Sequence, residues 1–229
     1  MALFPISILS ENSATAQSTT CDGPNVIKHV LTTLDGVSIA TYTQGEGTTA
    51  IVLVHQVNQD HCGWATEAAA LAKNYRVMSI DLRGYGTSQR AKGTTAYAYR
   101  NDIAAAVASL RTNGANKVVL VGASMGGSAV VVAGAFITPP VDGIVAVSAP
   151  TNYKGQNAKT AAPKLTIPAR FIAASDDAAA VTSAQSLNRS ATSSPDHQAV
   201  VFAKGGHGWV LLRPGSPAEA SLIEFLTAR

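Results

Sequence analysis

Three groups of residues could together support nucleophilic catalysis. Ser124 centres the stretch Gly122-Ala123-Ser124-Met125-Gly126-Gly127, a G-x-S-x-G pattern preceded by the apolar run Val118-Val119-Leu120-Val121. A serine on so tight a strand-to-helix turn needs small neighbours, because a Cβ at 122, 126 or 127 would collide with the adjoining strand or helix. Serine is a weak nucleophile at neutral pH and needs a base within hydrogen-bond reach; the base in turn needs an acid that holds its tautomer and stabilises its charge. Five histidines compete for the base: His29, His55, His61, His197 and His207. His207 lies in the glycine-flanked stretch KGGHGW after the last apolar run, whereas His29 in the first hairpin and His197 in the loop before the last strand read as surface residues. The acid candidates are Asp176 and Asp177, adjacent carboxylates that close the run FIAAS. Only one can face an imidazole, and the other would cap the alanine-rich helix that follows.

A second stretch, IVLVHQVNQDHCGW over residues 51–64, gathers His55, Asp60, His61 and Cys62. It lacks the H-x-x-x-H or C-x-x-C spacing of a metal site, and adjacent side chains such as His61 and Cys62 are expected to diverge, so neither a metal nor a cofactor is predicted. Asp60 or Asn58 would instead cap the next helix, and Trp64 would pack beneath it. The two cysteines, Cys21 and Cys62, permit a disulfide; the alternative is two unrelated thiols.

To act together, the serine, histidine and carboxylate must sit at one edge of a common scaffold. Residues 26–33 and 37–43 alternate branched and polar side chains around Asp35-Gly36, a hairpin signature. Continuous apolar runs at 50–55, 77–80, 118–121, 143–147, 171–174 and 199–202 suit strands buried on both faces of a parallel sheet. Helix-length segments at 63–73, 97–112, 125–136, 178–191 and 217–227 alternate with them, the last with Ser216 placed to cap and Pro217 at the first helical position. Strands alternating with helices require right-handed crossovers. The prediction is one α/β domain over 25–229, a mostly parallel, doubly wound sheet with an N-terminal antiparallel hairpin and helices on both faces. Residues 1–24 form a separate tail.

In this order of elements the chain resembles the α/β-hydrolase superfamily, in particular its serine esterase- and lipase-like branch without a large cap domain. Besides the G-x-S-x-G turn, DLRGYGTS at 81–88 is similar to the loop after the fourth strand in many of these esterases, where glycines and a buried ion pair shape a loop beside the pocket. The resemblance implies Ser124 as nucleophile and His207, after the last strand, as base. It implies Asp177 as acid, three residues past the small residue closing its strand if that residue is Ala174; a register shifted by one makes it Asp176. An oxyanion hole would take the backbone N–H of Met125 and a second from Val57 or Gln56 in the loop after the third strand. Many relatives carry His-Gly where this chain has His55-Gln56, a departure that matters only if it moves that backbone. The segment 149–169 is too short for a cap domain, which leaves an open pocket with Tyr153 and Trp209 as candidate walls.

The implied activity is hydrolysis of a small carboxylic ester through an acyl-enzyme. Amidase, lactonase or cofactor-free perhydrolase chemistry could use the same triad, and a non-catalytic binding protein could retain the fold. A net charge of +3 with only 14% charged residues, scattered singly, gives no footprint for nucleic acid. No run approaches the ~18 apolar residues of a membrane span. Leu3 to Leu9 is apolar and Ala14-Thr15-Ala16 has the small-x-small form of a signal-peptidase site, without a basic residue before it. That places export, secreted or periplasmic, ahead of the cytoplasm; nothing in the sequence specifies an oligomer.

Overall fold

The computed structural model describes residues 21–229; the export-like segment lies outside the described residues. Eight strands form one sheet: β1 (Ile27–Thr32), β2 (Ser38–Gln44), β3 (Thr49–Val54), β4 (Arg76–Ile80), β5 (Lys117–Ala123), β6 (Gly143–Val147), β7 (Ala169–Ala174) and β8 (His197–Phe202). Their order is β1-β2-β4-β3-β5-β6-β7-β8. Pairing is antiparallel from β1 to β2 and from β2 to β4, and parallel from there to β8. This is the hairpin followed by a parallel sheet that the alternating pattern predicted.

The continuous apolar runs become central strands because both of their faces are covered. Along β5, Val118 and Leu120 enter one core layer while Val119, Val121 and Ala123 enter the other. The first layer lies under α2 (Tyr99–Thr112), α3 (Met125–Phe136) and α5 (Ala178–Ser190), which contribute Ile103, Val107, Leu110, Val130 and Leu187. The second lies under α1 (Ala65–Leu71) and α6 (Pro217–Thr227), with Trp64, Leu71, Leu222 and Phe225. Helix α6 begins as predicted: the Ser216 hydroxyl accepts from the Glu219 N–H, with Pro217 at the first position.

Some boundaries differ. The helix predicted from residue 63 is split, with a 3-10 turn over His61–Trp64 leading into α1. Asp60 caps that turn by accepting from the Cys62 N–H, and Trp64 is buried beneath it. A short helix α4 (Ala158–Ala161) falls between β6 and β7, in the segment judged too short for a cap domain. His197 opens β8 itself rather than lying in the loop before it, because its backbone pairs in register with Ala169 of β7. Its side chain is at the surface, bonded to Asn188.

The DLRGYGTS loop follows β4, and the ion pair at its centre reaches outside it. The Arg83 guanidinium, with no exposed side-chain surface, donates to Asp102 of α2 and, through both terminal nitrogens, to Asp35 of the hairpin turn. Three separate segments are thereby pinned together at the carboxyl edge of the sheet.

Candidate active site

Ser124 follows β5 and precedes α3 with φ 49° and ψ −113°, a strained conformation for a residue with a Cβ. Packing enforces it. A Cβ on Gly122 would come within 2.2 Å of the Gly126 carbonyl oxygen, and one on Gly126 within 2.3 Å of the Val54 oxygen. Helix α3 therefore runs so close to β3 and β5 that the chain must turn sharply, and Ser124 sits at the apex. Its N–H donates to the Val147 carbonyl at the end of β6, which fixes the turn against the neighbouring strand.

The two aspartates divide their tasks after β7. Asp177 Oδ2 lies 2.5 Å from His207 Nδ1, while its Oδ1 accepts from the Ala180 N–H as the N-cap of α5. One carboxylate thus faces the imidazole and caps the helix. The expectation that the other aspartate would be the cap is corrected: the Asp176 carboxylate instead accepts from the N–H groups of Gly205 and Gly206, just before His207. Those backbone donors hold its carboxyl below the usual carboxylate range. The chain can supply them because Gly205 and Gly206 both have positive φ, which turns successive N–H groups toward one side.

After His207 the loop is held a third time. Gly208, at φ 77°, donates its N–H to the Ser148 hydroxyl at the end of β6. The Gln56 side chain lies against Gly208 so closely that a Cβ there would meet its Oε1 at 1.9 Å. Neither Ser148 nor Gly208 was singled out from the sequence; a serine after an apolar run carries no signal of a partner 60 residues away. Among the described residues, Ser124 Oγ makes no hydrogen bond to His207, and the His207 side chain is 51% exposed. The nucleophile-to-base bond is often long in a resting site and shortens with substrate bound.

The loop after β3 is organised by His55. Its Nε2 accepts from the Leu82 N–H at 3.1 Å, so Nδ1 carries the proton and donates to the Gln56 carbonyl at 2.8 Å. Burial lowers the His55 pKa, consistent with this neutral form. Because the peptide unit is planar and trans, fixing the Gln56 carbonyl also turns the Val57 N–H to the opposite side. Of the two second-donor candidates, Val57 has its direction set in this way. Met125 opens α3, and its buried side chain accepts a hydrogen bond from the Tyr85 hydroxyl.

The pocket candidates lie where packing puts them. Tyr153 is half-buried against the first core layer under the Lys154 ammonium, and Trp209 rests on the second layer beside Gly63 with Arg213 over its ring. The stretch at 51–64 requires one correction. His61 and Cys62 do not diverge: His61 Nε2 lies 3.6 Å from Cys62 Sγ, because the 3-10 turn holds both side chains over the same ground. Cys21 joins them there, linked to Cys62 by a disulfide with Cα atoms 5.5 Å apart.

Residues 49–163 match the family model for the alpha/beta hydrolase fold, a segment that contains Ser124 and ends before Asp177 and His207. Over 99 residues the chain is 31% identical to 3-oxoadipate enol-lactonase 1 of Acinetobacter baylyi, covering 43% of this chain and 36% of that enzyme. The match therefore spans about a third of that relative's length. Among solved structures, an esterase of Pyrococcus furiosus superposes with TM-score 0.74 at 18% identity, covering 89% of this chain and 90% of that one. The enol-lactonase of Burkholderia xenovorans LB400 superposes with TM-score 0.71 at 15% identity, covering 88% and 100%. An esterase from Exiguobacterium antarcticum gives 0.70 at 15%, again covering 88% and 100%. At these identities the likeness is one of fold.

Proposed function

Because the chain belongs to the alpha/beta hydrolase fold family, whose model matches half of it, we propose that it is a serine hydrolase of small carboxylic esters working through an acyl-enzyme. The observation that carries this reading is the Asp177–His207 pair together with the strained Ser124 turn, both tied to the end of β6 through Ser148 and Val147. With Nδ1 engaged by Asp177, the His207 ring presents Nε2 as the proton acceptor. Ser124 Oγ attacks the acyl carbon as its proton passes to Nε2, and the oxyanion forms against the N–H groups of Met125 and Val57. Collapse expels the alcohol, which takes the proton from His207. Water activated by the same nitrogen then attacks the ester carbonyl of the acyl-enzyme, releasing the acid and regenerating Ser124. The chain's own residues supply each of these steps, so neither metal nor cofactor is required.

A lactone is a cyclic ester, and the similarity to an enol-lactonase supports lactone opening as a second reading. The same steps apply, with the leaving alcohol still tethered to the product.

A fluorophosphonate probe should label the protein once per chain, and Ser124→Ala should abolish both labelling and turnover. Nitrophenyl esters of increasing acyl length, assayed beside five- and six-membered lactones, separate the two readings by kcat/KM. Labelling that survives Ser124→Ala, or absence of turnover on both panels, would overturn the serine hydrolase assignment.

A further inference from the structure

Outside the Ser124 site, the densest meeting of reactive side chains surrounds His61. Its Nδ1 lies 2.9 Å from Asp81 Oδ1, a carboxylate with no exposed side-chain surface that also accepts from the His61 and Thr87 N–H groups. The ring stacks on Tyr42, with centroids 3.3 Å apart and planes 9° apart. Its position is therefore set, with Nδ1 donating to Asp81 and Nε2 on the far side of the ring. Cys21 Sγ at 3.4 Å and Cys62 Sγ at 3.6 Å meet it there, and Asp22 Oδ1 approaches the same nitrogen at 3.3 Å from outside that cluster.

We propose that, once the Cys21–Cys62 disulfide is reduced, Cys21, Cys62, His61 Nε2 and Asp22 Oδ1 form a tetrahedral zinc site that takes over the disulfide's task of fastening the N-terminal segment to the loop after β3. The disulfide and the metal are alternative occupants, because the bonded sulfurs cannot act as thiolates. Reduction by a dithiol breaks the S–S bond and forms two protein thiols, while the two sulfurs of the reductant close into a disulfide. Zn²⁺ then displaces both thiol protons to solvent and binds two thiolates, the neutral imidazole and the carboxylate.

The geometry is suited to this exchange. Zinc with bonds of about 2.3 Å to sulfur and 2.0–2.1 Å to nitrogen needs tetrahedral donors roughly 3.3–3.8 Å apart. The Nε2 distances to the other three atoms already lie in that range. On reduction the two sulfurs must separate, and the Asp22 carboxylate must turn toward them to close the tetrahedron. A histidine ligand whose second nitrogen is held by a carboxylate is the usual outer arrangement of a zinc site, and Asp81 supplies it. The complex would carry one net negative charge, and Lys28 Nζ, 2.7 Å from Asp22 Oδ2, lies beside it to compensate. Sequence spacing could not reveal this set, because Cys21 and Asp22 come from a segment some 40 residues before His61. None of these four ligands belongs to the Ser124 site, so the proposal stands apart from the hydrolase assignment.

The test is a titration of the full chain, reduced with a phosphine that is then removed, using Co²⁺ as a coloured probe and Zn²⁺ as competitor. The expected result is one Co²⁺ per chain with thiolate charge-transfer and tetrahedral d–d absorption, bleached by one equivalent of Zn²⁺ with release of two protons. The oxidised chain should show none of this. Cys62→Ser and His61→Ala should abolish the tetrahedral spectrum, and Asp22→Asn should weaken it at least tenfold; His29→Ala, on the exposed hairpin strand, should leave it unchanged. If reduction unfolds the chain, one equivalent of Zn²⁺ should restore its circular dichroism. Failure of the reduced chain to bind metal or to refold with it, binding unaltered by His61→Ala, or equal binding by the oxidised chain would each overturn the proposal.

Discussion

Asp176 and Asp177 are adjacent in sequence, yet they hold different parts of the same histidine loop. Asp177 engages the ring and Asp176 holds the two glycine N–H groups before it. Replacing Asp177 with Asn keeps the size but removes the charge and disturbs the tautomer, so kcat should fall by about 10³–10⁴-fold. Replacing Asp176 with Asn loosens the loop without touching the ring, and kcat should fall only about tenfold, with a broader His207 resonance by NMR. A larger loss at Asp176 would exchange the roles. Glu67 in α1 makes the second prediction at this scale. It is 2% exposed, neither carboxylate oxygen has a hydrogen-bond partner among the described residues, and burial pushes its pKa up to about 7 from 4.5. A carboxyl raised in the folded state costs nothing while protonated in both states, then destabilises the fold as pH climbs from about 4.5 toward 7, by about 3 kcal/mol in all. Urea unfolding should therefore show Glu67→Gln more stable than the wild type by about 2–3 kcal/mol at pH 8 and nearly equal at pH 4. A difference independent of pH would contradict the argument.

At the scale of elements, the β5–α3 unit was legible in the sequence because its requirements are local. Apolar residues make the strand, small residues make the turn, and an apolar segment of helical length follows. The contacts explain why small residues are needed: α3 approaches β3 so closely that Gly126→Ala would drive a methyl into the Val54 and His55 carbonyls. That substitution should cost about 1–3 kcal/mol of stability, read as a lower midpoint in urea, and should also cut turnover because His55 and Ser124 are displaced together. Retention of both properties would mean that the helix can slide without disturbing the turn. Less was legible where the constraint is not local. Position 56 was marked for lacking glycine, but the residue that must be glycine is Gly208, into whose Cβ space Gln56 extends.

Across the whole molecule, long-range ties bring remote segments together. Arg83 joins the loop after β4 to α2 and the first hairpin, Gly208 joins the His207 loop to β6, and Cys21 joins the N-terminal segment to Cys62. The disulfide closes a loop with a sequence separation of 41 residues. Such a cross-link restricts the unfolded chain, and the loop-entropy relation gives it about 4 kcal/mol of stability. Metal-free reduction, or Cys62→Ser, should lower the urea midpoint accordingly, whereas an unchanged midpoint would show that the segment contributes little to the folded domain. Among the described residues, no helix is long and apolar enough to cross a membrane.

The sequence by itself determined the order of the strands and the long helices, the serine turn and the histidine loop, because each depends on neighbours within a few residues: side-chain period, backbone freedom and caps. It also narrowed the acid to two adjacent positions. Only the tertiary structure decided which aspartate faces the imidazole, what the other one holds, and why Gln56 can stand where a glycine was expected. It also brought Cys21, Asp22 and Cys62 to the His61 ring nitrogen. Each of those outcomes depends on where remote segments meet, and that is fixed by the packing of the whole sheet rather than by any pattern along the chain.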